Sequence, residues 1–293
     1  MKVIPGPASQ KLGRQVAELL EAEAVHLAFK RFPDGESYIR LKADIKGEEV
    51  ALIQTTSPPQ DTHLMQLLIM IDAAKDLGAR KIVAVVPYLA YARQDKRFLD
   101  GEAVSIETII KLLQALRIDG FLTVNTHEED VLEKFEVSAE NLSAIPILAQ
   151  HLMKKDLKEP FALAPDQGAS GLAKEAAKVL GGDYGWLRKE RDRLTGEISM
   201  EKKGLEVEGR DVVIFDDIIS TGGTMATASQ ILKKQGARRV FAACVHPLLV
   251  EGAKDRILRA GAEQIIGTDC VPSPVSVVSV APLVVEALAQ RGS

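Results

Sequence analysis

Two adjacent carboxylates, Asp216 and Asp217, stand just ahead of a Ser-Thr-Gly-Gly-Thr run at 220–224. Glycines let a backbone approach an anion closely, hydroxyl side chains add donors, and a helix that follows points its positive end at the charge. The run is therefore expected to hold a phosphate. Carboxylates repel phosphate, so they should face hydroxyl donors or a cation. A sugar monophosphate with a cis-diol satisfies both, with Asp216, Asp217, Ser220, Thr221, Gly222, Gly223 and Thr224 as its expected ligands.

A less specific interpretation is a strand that ends in Asp to cap a helix, with glycine for a tight turn. That interpretation would be favoured for a single Asp, but it leaves the second acid and the hydroxyl run without a role. The segment is not a Walker A loop, because no Lys follows the glycines, and it is not Gly-x-Gly-x-x-Gly.

The elements around this segment alternate between apolar runs and amphipathic stretches. "VALIQTT", "KIVAVVP", "DVVIFDD" and "VFAACVHP" are typical of strands buried on both faces, and each is followed by a helical pattern. The sequence therefore predicts an α/β fold built on parallel sheets flanked by helices. "DVVIF" is predicted as a strand and "TMATASQILKKQ" as a helix, so "DDIISTGGT" should connect them at the carboxyl edge of a sheet, where such folds bind ligands.

The chain also contains an internal similarity. Lys75–Asp95 resembles Lys233–Asp255, since in both a helix ends at glycine, a Gly-Ala-Arg turn follows, and a strand closes on proline. We interpret this as a duplication, with domains at 1–145 and 146–293. The first copy has "TTSPPQDTH" where the second has the acid pair and double glycine, so one phosphate loop per chain is expected.

Composition excludes several classes of function. The net charge of −4 comes without a clustered basic patch, which argues against a nucleic-acid partner. The most apolar stretch is interrupted by Pro282 and Glu286, so no membrane span is expected, and a cytoplasmic location is predicted. With Cys244 and Cys270 as the two cysteines, neither a disulfide scaffold nor a zinc site is predicted.

The acid pair and loop together resemble the binding signature for phosphoribosyl diphosphate (PRPP) of the type I phosphoribosyltransferase fold. In that fold the loop holds the 5-phosphate of ribose and the acids hold the 2- and 3-hydroxyls. The fold class implied is α/β, with two duplicated type I phosphoribosyltransferase-like domains. Base transferases, which consume PRPP, and synthetases, which make it, share this signature.

Five further stretches resemble the synthetase family, in its order along the chain. "RFPDGESYIR" (31–40) and "YARQDKR" (91–97) resemble its ATP-binding segments, and "VNTHEED" and "APDQGAS" resemble segments near the ATP phosphates and metal. "LRKERDR" (187–193) resembles the catalytic flap. Read singly, these would be a turn, a solvated charge run, or surface His and Asp residues.

The resemblance implies transfer of a diphosphate from Mg-ATP to the anomeric hydroxyl of ribose 5-phosphate, giving PRPP and AMP. It implies Mg²⁺ as the cofactor and a homo-oligomer with the ATP site at a dimer interface. Its residues in this sequence are Lys189 and Arg191 as catalytic, with Arg191 also binding ribose 5-phosphate; Phe32, Asp34, Gly35, Glu36, Arg93, Gln94, Asp95 and His127 on the ATP side; and His127 and Asp166 at the metal.

The chain departs from the family pattern in two places, which resembles archaeal-type members. Ser220 stands where many members have Asp, and "RFLDGEAVS" replaces an Arg-rich stretch associated with allosteric sites. Two other functions remain: a phosphoribosyltransferase that uses a nucleobase, and an inactive relative that acts as a regulatory subunit. The first leaves the ATP-side motifs unexplained, and the second is expected to lose flap or loop residues that are intact here.

Overall fold

The apolar runs form two parallel sheets, as the sequence predicts. The computed structural model describes residues 1–191, 198–201 and 205–291, with side chains described for 1–187 and 205–291. The first sheet has six parallel strands, and its central strands are Val- and Ile-rich segments buried on both faces. The strands of this part of the chain are β1 (Lys2–Pro5), β2 (Glu23–Ala24), β3 (Leu27–Arg31), β4 (Ser37–Leu41), β5 (Glu49–Ile53), β6 (Lys81–Val86), β7 (Gly120–Val124) and β8 (Ala139–Leu142). β3 and β4 form a separate antiparallel hairpin, and the other six form the sheet.

Three helices connect strands of this first sheet and pack against it. They carry apolar faces that join a core containing Ile4, Leu52 and Phe121. The helices are α1 (Gln10–Leu19), α2 (Gln60–Asp76) and α3 (Ser105–Ala115), with 3₁₀ turns at Pro7–Ser9 and Glu129–Lys134.

The second sheet also has six parallel strands and its own core, which contains Leu163, Ile214 and Val240. A further antiparallel hairpin is formed by β11 and β12. The elements are α4 (Ile145–Met153), β9 (Phe161–Ala164), α5 (Ser170–Leu180), β10 (Asp183–Trp186), β11 (Arg188–Arg191), β12 (Ile198–Glu201), β13 (Asp211–Ile219), α6 (Gly223–Lys234), β14 (Arg239–Pro247), α7 (Ala253–Arg259), β15 (Gln264–Thr268) and β16 (Ser276–Val278), followed by α8 (Ala281–Arg291).

The two sheets have the same topology, which confirms the predicted α/β fold of two similar domains. The first sheet has the order β2-β1-β5-β6-β7-β8 and the second β10-β9-β13-β14-β15-β16. Counted within each domain, both are the order 2-1-3-4-5-6. Each domain also inserts its hairpin at the same point, between its second and third sheet strands, a correspondence that the sequence similarity did not include.

The matched Gly-Ala-Arg turns are alike in detail. Gly78 has φ +82° and Gly236 has φ +83°, the left-handed conformation in which a helix C-terminus favours glycine. The carbonyl of Gly78 accepts a 2.8 Å hydrogen bond from the N–H of Gly47, and the carbonyl of Gly236 accepts a 2.9 Å bond from that of Gly209. The turn residues identified from sequence are therefore structurally equivalent.

The chain separates into two compact units whose main division falls between Ser143 and Ala144. The first unit also includes Cys270–Pro272 and the chain from Ser279 onward, so it differs there from the segments 1–145 and 146–293 expected from sequence. The reason is local: α8 packs against α1, and the guanidinium of Arg291 donates to the carbonyl oxygens of Ser138 (3.1 Å) and Phe121 (3.3 Å). Among the described residues, none of the helices combines the length and apolar character needed to cross a bilayer.

A buried carboxylate anchors the start of β13. Asp211 is fully buried and accepts hydrogen bonds from Arg238 at 2.8 Å, Arg239 at 2.6 Å and the backbone N–H of Lys158 at 2.8 Å. Burial opposes ionisation, but the two guanidinium groups and the N–H outweigh it and lower the pKa of Asp211 from 3.8 to about 2. The carboxylate thus ties β13, β14 and the turn before β9 together at the edge opposite the phosphate loop.

Asp211→Asn is expected to lower the free energy of unfolding by roughly 2 kcal/mol at pH 7, since a shift of nearly two pKa units has about that value. Because the pKa is lowered in the folded state, this stability is present above about pH 4 and is lost as the pH falls through about 2. Urea unfolding of the parent and variant at several pH values measures it.

Asp183→Asn is the control, because Asp183 pairs with Arg210 at 2.8 Å but has a side chain that is 72% exposed. An exposed pair of this kind contributes at most about 1 kcal/mol. Equal losses for the two variants would contradict the anchoring role of Asp211.

Candidate functional site

The acid pair lies on a central strand of the second sheet. β13 pairs in parallel with β9 on one side and β14 on the other, and it continues to Ile219. The sequence prediction ended this strand before Asp216, whereas Asp216 is in register with Cys244 of β14. The acids are therefore held by strand pairing, which fixes them more firmly than a loop would.

Asp216 is held in an environment that disfavours its charge. It is half-buried. Burial raises its pKa well above the usual range, and the charge of Asp217, a side-chain hydrogen bond with Asp217 and the charge of Asp166 raise it further. The backbone N–H of Asp217, 3.0 Å from Oδ1 of Asp216, opposes this in part. The contribution of Asp166 shows that it lies near the acid pair, as expected for the residue that follows the neighbouring strand β9.

The predicted phosphate loop follows β13 and leads into α6. Gly222 has φ +74°, and a Cβ there would lie 2.9 Å from Ile257 and 3.1 Å from Ala253, so both its conformation and its packing require glycine. A Cβ on Gly223 would meet no atom within 4 Å, so the backbone there borders open space. The loop is supported on one side and open on the other.

The open side of the loop presents unused hydrogen-bond donors. Within the part of the chain that the structure describes, the backbone N–H groups of Gly222, Gly223 and Thr224 have no hydrogen-bond partner, and neither do the hydroxyls of Ser220, Thr221 and Thr224. No side chain caps α6 at its N-cap Gly222. Unpaired N–H groups at a helix N-terminus attract an anion, so this arrangement can bind phosphate.

The equivalent segment of the first domain begins with two threonines that make interior hydrogen bonds. Thr56 Oγ1 donates to the carbonyl of Tyr88 at 2.7 Å and accepts from the N–H of Ala90 at 2.8 Å. The N–H of Thr55 donates to the hydroxyl of Ser9 at 2.8 Å. Thr55 and Thr56 are thus tied into the interior of the first domain, and this segment carries no charge where the second domain has Asp216 and Asp217.

The residues Phe32 to Glu36 form the tip of the β3–β4 hairpin. The turn is closed by hydrogen bonds from Phe32 N–H to the Glu36 carbonyl (2.8 Å) and from Glu36 N–H to Asp34 Oδ1 (3.2 Å), while Gly35 has φ +101°. Phe32 is 37% exposed and stacks edge-on with Tyr38 at 6.1 Å. The tip therefore offers an aromatic surface to a ligand or a partner.

The other ATP-side predictions lie at the carboxyl edge of the first sheet. Arg93, Gln94 and Asp95 follow β6, and His127 follows β7, the strand paired with it. Arg93 and His127 are exposed. The fold thus brings the ends of these two segments to one edge, in the same unit as the hairpin.

The predicted flap residues Lys189 and Arg191 belong to β11, which pairs with β12 in antiparallel register. Their side chains, together with residues 192–197, lie outside the described part of the structure. The structure places their backbone on the first strand of this hairpin.

The structure adds one residue that sequence reasoning did not identify. The guanidinium of Arg256, on α7, donates a hydrogen bond to the carbonyl oxygen of Thr221 in the phosphate loop. The two residues are 35 positions apart, and "KDRILRAG" reads as an ordinary amphipathic helix, so no local pattern could have indicated the contact.

Two family models match the chain in succession. Residues 1–116 match the N-terminal domain of ribose phosphate pyrophosphokinase, and residues 139–269 match the phosphoribosyl transferase domain. Together they cover most strands of both sheets and the candidate phosphate loop.

Curated relatives are similar over nearly the whole chain. The ribose-phosphate pyrophosphokinase of Methanothermobacter thermautotrophicus is 45% identical over 98% of this chain and 99% of its own length. That of Methanosarcina mazei is 46% identical over 98% of this chain and 95% of its own. Among solved structures, phosphoribosylpyrophosphate synthetase from Mycobacterium smegmatis has a TM-score of 0.88 at 28% identity and covers 99% of this chain and 98% of its own.

Asp216→Asn is expected to stabilise the ligand-free protein at pH 7. A carboxyl whose pKa is raised on folding destabilises the folded state above its unfolded pKa, so removing the charge relieves that cost by on the order of 1 kcal/mol. Thermal unfolding at pH 7 measures the gain, which should shrink as the pH falls towards 4. Asp100→Asn, at an exposed loop carboxylate, is the control. A lower melting temperature for Asp216→Asn than for the parent would refute the electrostatic account.

Proposed function

This chain belongs to the ribose-phosphate pyrophosphokinase family, and from that premise we propose how its residues divide the reaction. The reaction transfers the β,γ-diphosphate of ATP to the anomeric hydroxyl of ribose 5-phosphate and gives PRPP and AMP. Such transfers depend mainly on positioning and on positive charge where negative charge develops. The described residues supply the positioning of the sugar phosphate.

The 5-phosphate of ribose 5-phosphate binds in the loop at 220–224. The observation that carries this assignment is the row of N–H groups at Gly222, Gly223 and Thr224, which have no protein partner among the described residues. They sit at the N-terminus of α6, where the helix dipole adds to the attraction. Hydroxyls of Ser220, Thr221 and Thr224 supply further donors.

The 2- and 3-hydroxyls of the sugar bind to Asp216 and Asp217. Two hydroxyl donors stabilise ionised carboxylates, which offsets the burial and repulsion that raise the pKa of Asp216 in the ligand-free chain. A sugar with its phosphate in the loop and its diol on β13 is held at both ends, and its anomeric hydroxyl is left free to react.

ATP binds in the first domain. Phe32 offers an exposed ring at the hairpin tip to an adenine base, and Asp34, Gly35 and Glu36 shape the turn that presents it. Arg93, Gln94, Asp95 and His127 lie at the carboxyl edge of the sheet, where polar groups can meet a nucleotide. The exposed hairpin supports a homo-oligomer in which this tip reaches the ATP site of a neighbouring chain.

Mg²⁺ is held at Asp166 in the second unit, and His127 is the candidate metal contact of the first unit, on the ATP side. Within the described residues, no group of three or more His, Cys, Asp and Glu side chains could hold a metal by itself. This suits Mg²⁺, which takes one or two carboxylates and completes its shell with water and substrate phosphates. When bound, the ion supplies charge neutralisation of the diphosphate.

Lys189 and Arg191 on the β11–β12 hairpin supply positive charge to the diphosphate as it passes from the leaving oxygen of AMP to the anomeric oxygen of ribose 5-phosphate. A hairpin that closes over the substrates can exclude water and complete the constellation of groups. Arg191 also contributes to binding of ribose 5-phosphate. The cytoplasmic location inferred from the sequence stays a prediction.

The reaction is tested by phosphorus NMR of the purified protein with Mg-ATP and ribose 5-phosphate. AMP and PRPP are expected to appear together at equal rates, because one transfer makes both. ADP as the nucleotide product would point to transfer of a single phosphoryl group, and no turnover would point to an inactive regulatory relative. Formation of a nucleotide from PRPP and a free base would instead indicate a phosphoribosyltransferase.

Lys189→Ala is expected to lower kcat by about 10²–10³-fold with little effect on the melting temperature, because it removes charge stabilisation from the transition state. Initial rates at saturating substrates measure the loss. Lys174→Ala, at an exposed position on α5, is the matched control and should leave kcat within about twofold. A folded Lys189→Ala variant with near-normal kcat would remove Lys189 from the mechanism.

A further inference from the structure

The phosphate loop is braced by α7. Gly222 packs so closely on this helix that a Cβ would meet Ile257 at 2.9 Å and Ala253 at 3.1 Å. The chain just before α7 is also bonded to the loop, since the N–H of Val250 donates to the carbonyl of Ser220 at 3.1 Å. These contacts fix where the backbone of the loop lies. They do not by themselves fix which way each peptide group faces.

One side chain of α7 acts on a peptide group of the loop. Arg256 donates through one guanidinium nitrogen to the carbonyl oxygen of Thr221, and through the other to the carbonyl oxygen of Glu251 at 3.2 Å. The planar guanidinium has its donors in a rigid fork. Bonding two carbonyls at once therefore holds the peptide between Thr221 and Gly222 in one orientation relative to the start of α7.

That orientation decides what the loop offers to a ligand. The peptide is trans, so its carbonyl and its N–H point in opposite directions. With the carbonyl of Thr221 turned to Arg256, the N–H of Gly222 is turned away from it. This N–H is one of the donors without a protein partner among the described residues. A flipped peptide would instead present the negative end of a carbonyl to the phosphate.

The peptide is also one that needs to be held. Glycine adopts positive and negative φ with similar ease, so a Thr-Gly peptide flips at little conformational cost. The packing of Gly222 on Ala253 and Ile257 restrains its Cα but leaves the peptide plane free to rotate. Arg256 is the described side chain that bonds to that plane.

We propose that Arg256 is a positioning residue for the phosphate loop, which keeps the N–H of Gly222 facing the 5-phosphate by holding the carbonyl of Thr221. This rests on the proposed binding of ribose 5-phosphate at 220–224. Arg256 does not touch the reacting atoms. The loss of Arg256 should therefore affect the sugar phosphate alone. It should raise the KM for ribose 5-phosphate and leave the KM for ATP unchanged.

Steady-state kinetics of Arg256→Met test this role, because methionine keeps an apolar stem and removes the donors. The KM for ribose 5-phosphate is expected to rise about tenfold, the effect of losing one well-oriented donor to an anion. The KM for ATP and kcat should change by less than about twofold, and the melting temperature by less than about 2 °C, because the side chain is exposed. Arg256→Lys, which keeps the charge but not the fork, should raise the same KM about threefold.

Two further variants serve as references. Arg259→Met removes an exposed arginine from the same helix without a contact to the loop, and its kinetics should match those of the parent. Thr224→Ala removes a donor from the loop itself, and it should raise the KM for ribose 5-phosphate.

The outcomes separate this inference from the function on which it rests. If Thr224→Ala raises the KM for ribose 5-phosphate and Arg256→Met does not, the role of Arg256 is overturned and the loop assignment stands. If neither variant raises it, the loop assignment fails as well. A parallel rise in both KM values, or activity lost in proportion to folded protein, would make Arg256 merely structural. Should Arg256→Met not fold, an unchanged KM in Arg256→Lys overturns the proposal.

Discussion

The chemistry of the second domain depends on the position of β13 between β9 and β14. Parallel strands end at the same edge of a sheet, so Asp166, after β9, comes close to the acids that β13 carries near its end. The same pairing buries Asp216 and brings like charges together, which raises its pKa. A ligand that supplies hydroxyls or a cation relieves this strain. The pairing of β13 with β9 therefore gathers three carboxylates, those of Asp166, Asp216 and Asp217, at one edge of the sheet.

Much of this could be predicted from the sequence, because the strands are short Val- and Ile-rich runs and the turns carry glycine. The Gly-Ala-Arg identity predicts equivalent turns at Gly78 and Gly236, and the two turns are equivalent in φ and in hydrogen bonding. The phosphate loop was recognisable because its residue types are local in the chain. The bracing of that loop by Arg256 was not, because the contact spans 35 positions and depends on how α7 packs. The sequence also predicts too early an end for β13, because charged residues seldom continue a buried strand.

The two domains share one topology but carry different residues at equivalent positions. Each domain inserts a two-stranded hairpin between its second and third sheet strands, and the two hairpins carry different motifs. The first presents Phe32 at an exposed turn, whereas the second carries Lys189 and Arg191. The segments at the end of the third sheet strand also differ, because Thr55 and Thr56 are tied into the interior of the first domain, whereas the second domain has the acids Asp216 and Asp217 there.

The packing of α8 on α1 joins the last described helix to the first one, within a single compact unit. α8 is also bonded to β6, since the ammonium of Lys81 donates to the carbonyl of Arg291 at 3.4 Å. Along the chain, the second unit lies between α1 and α8. During synthesis on the ribosome, the first domain therefore has to wait for the last part of the chain before its surface is complete. The second unit, which runs from Ala144 to Val278 apart from Cys270–Pro272, is translated before α8 and contains no part of it.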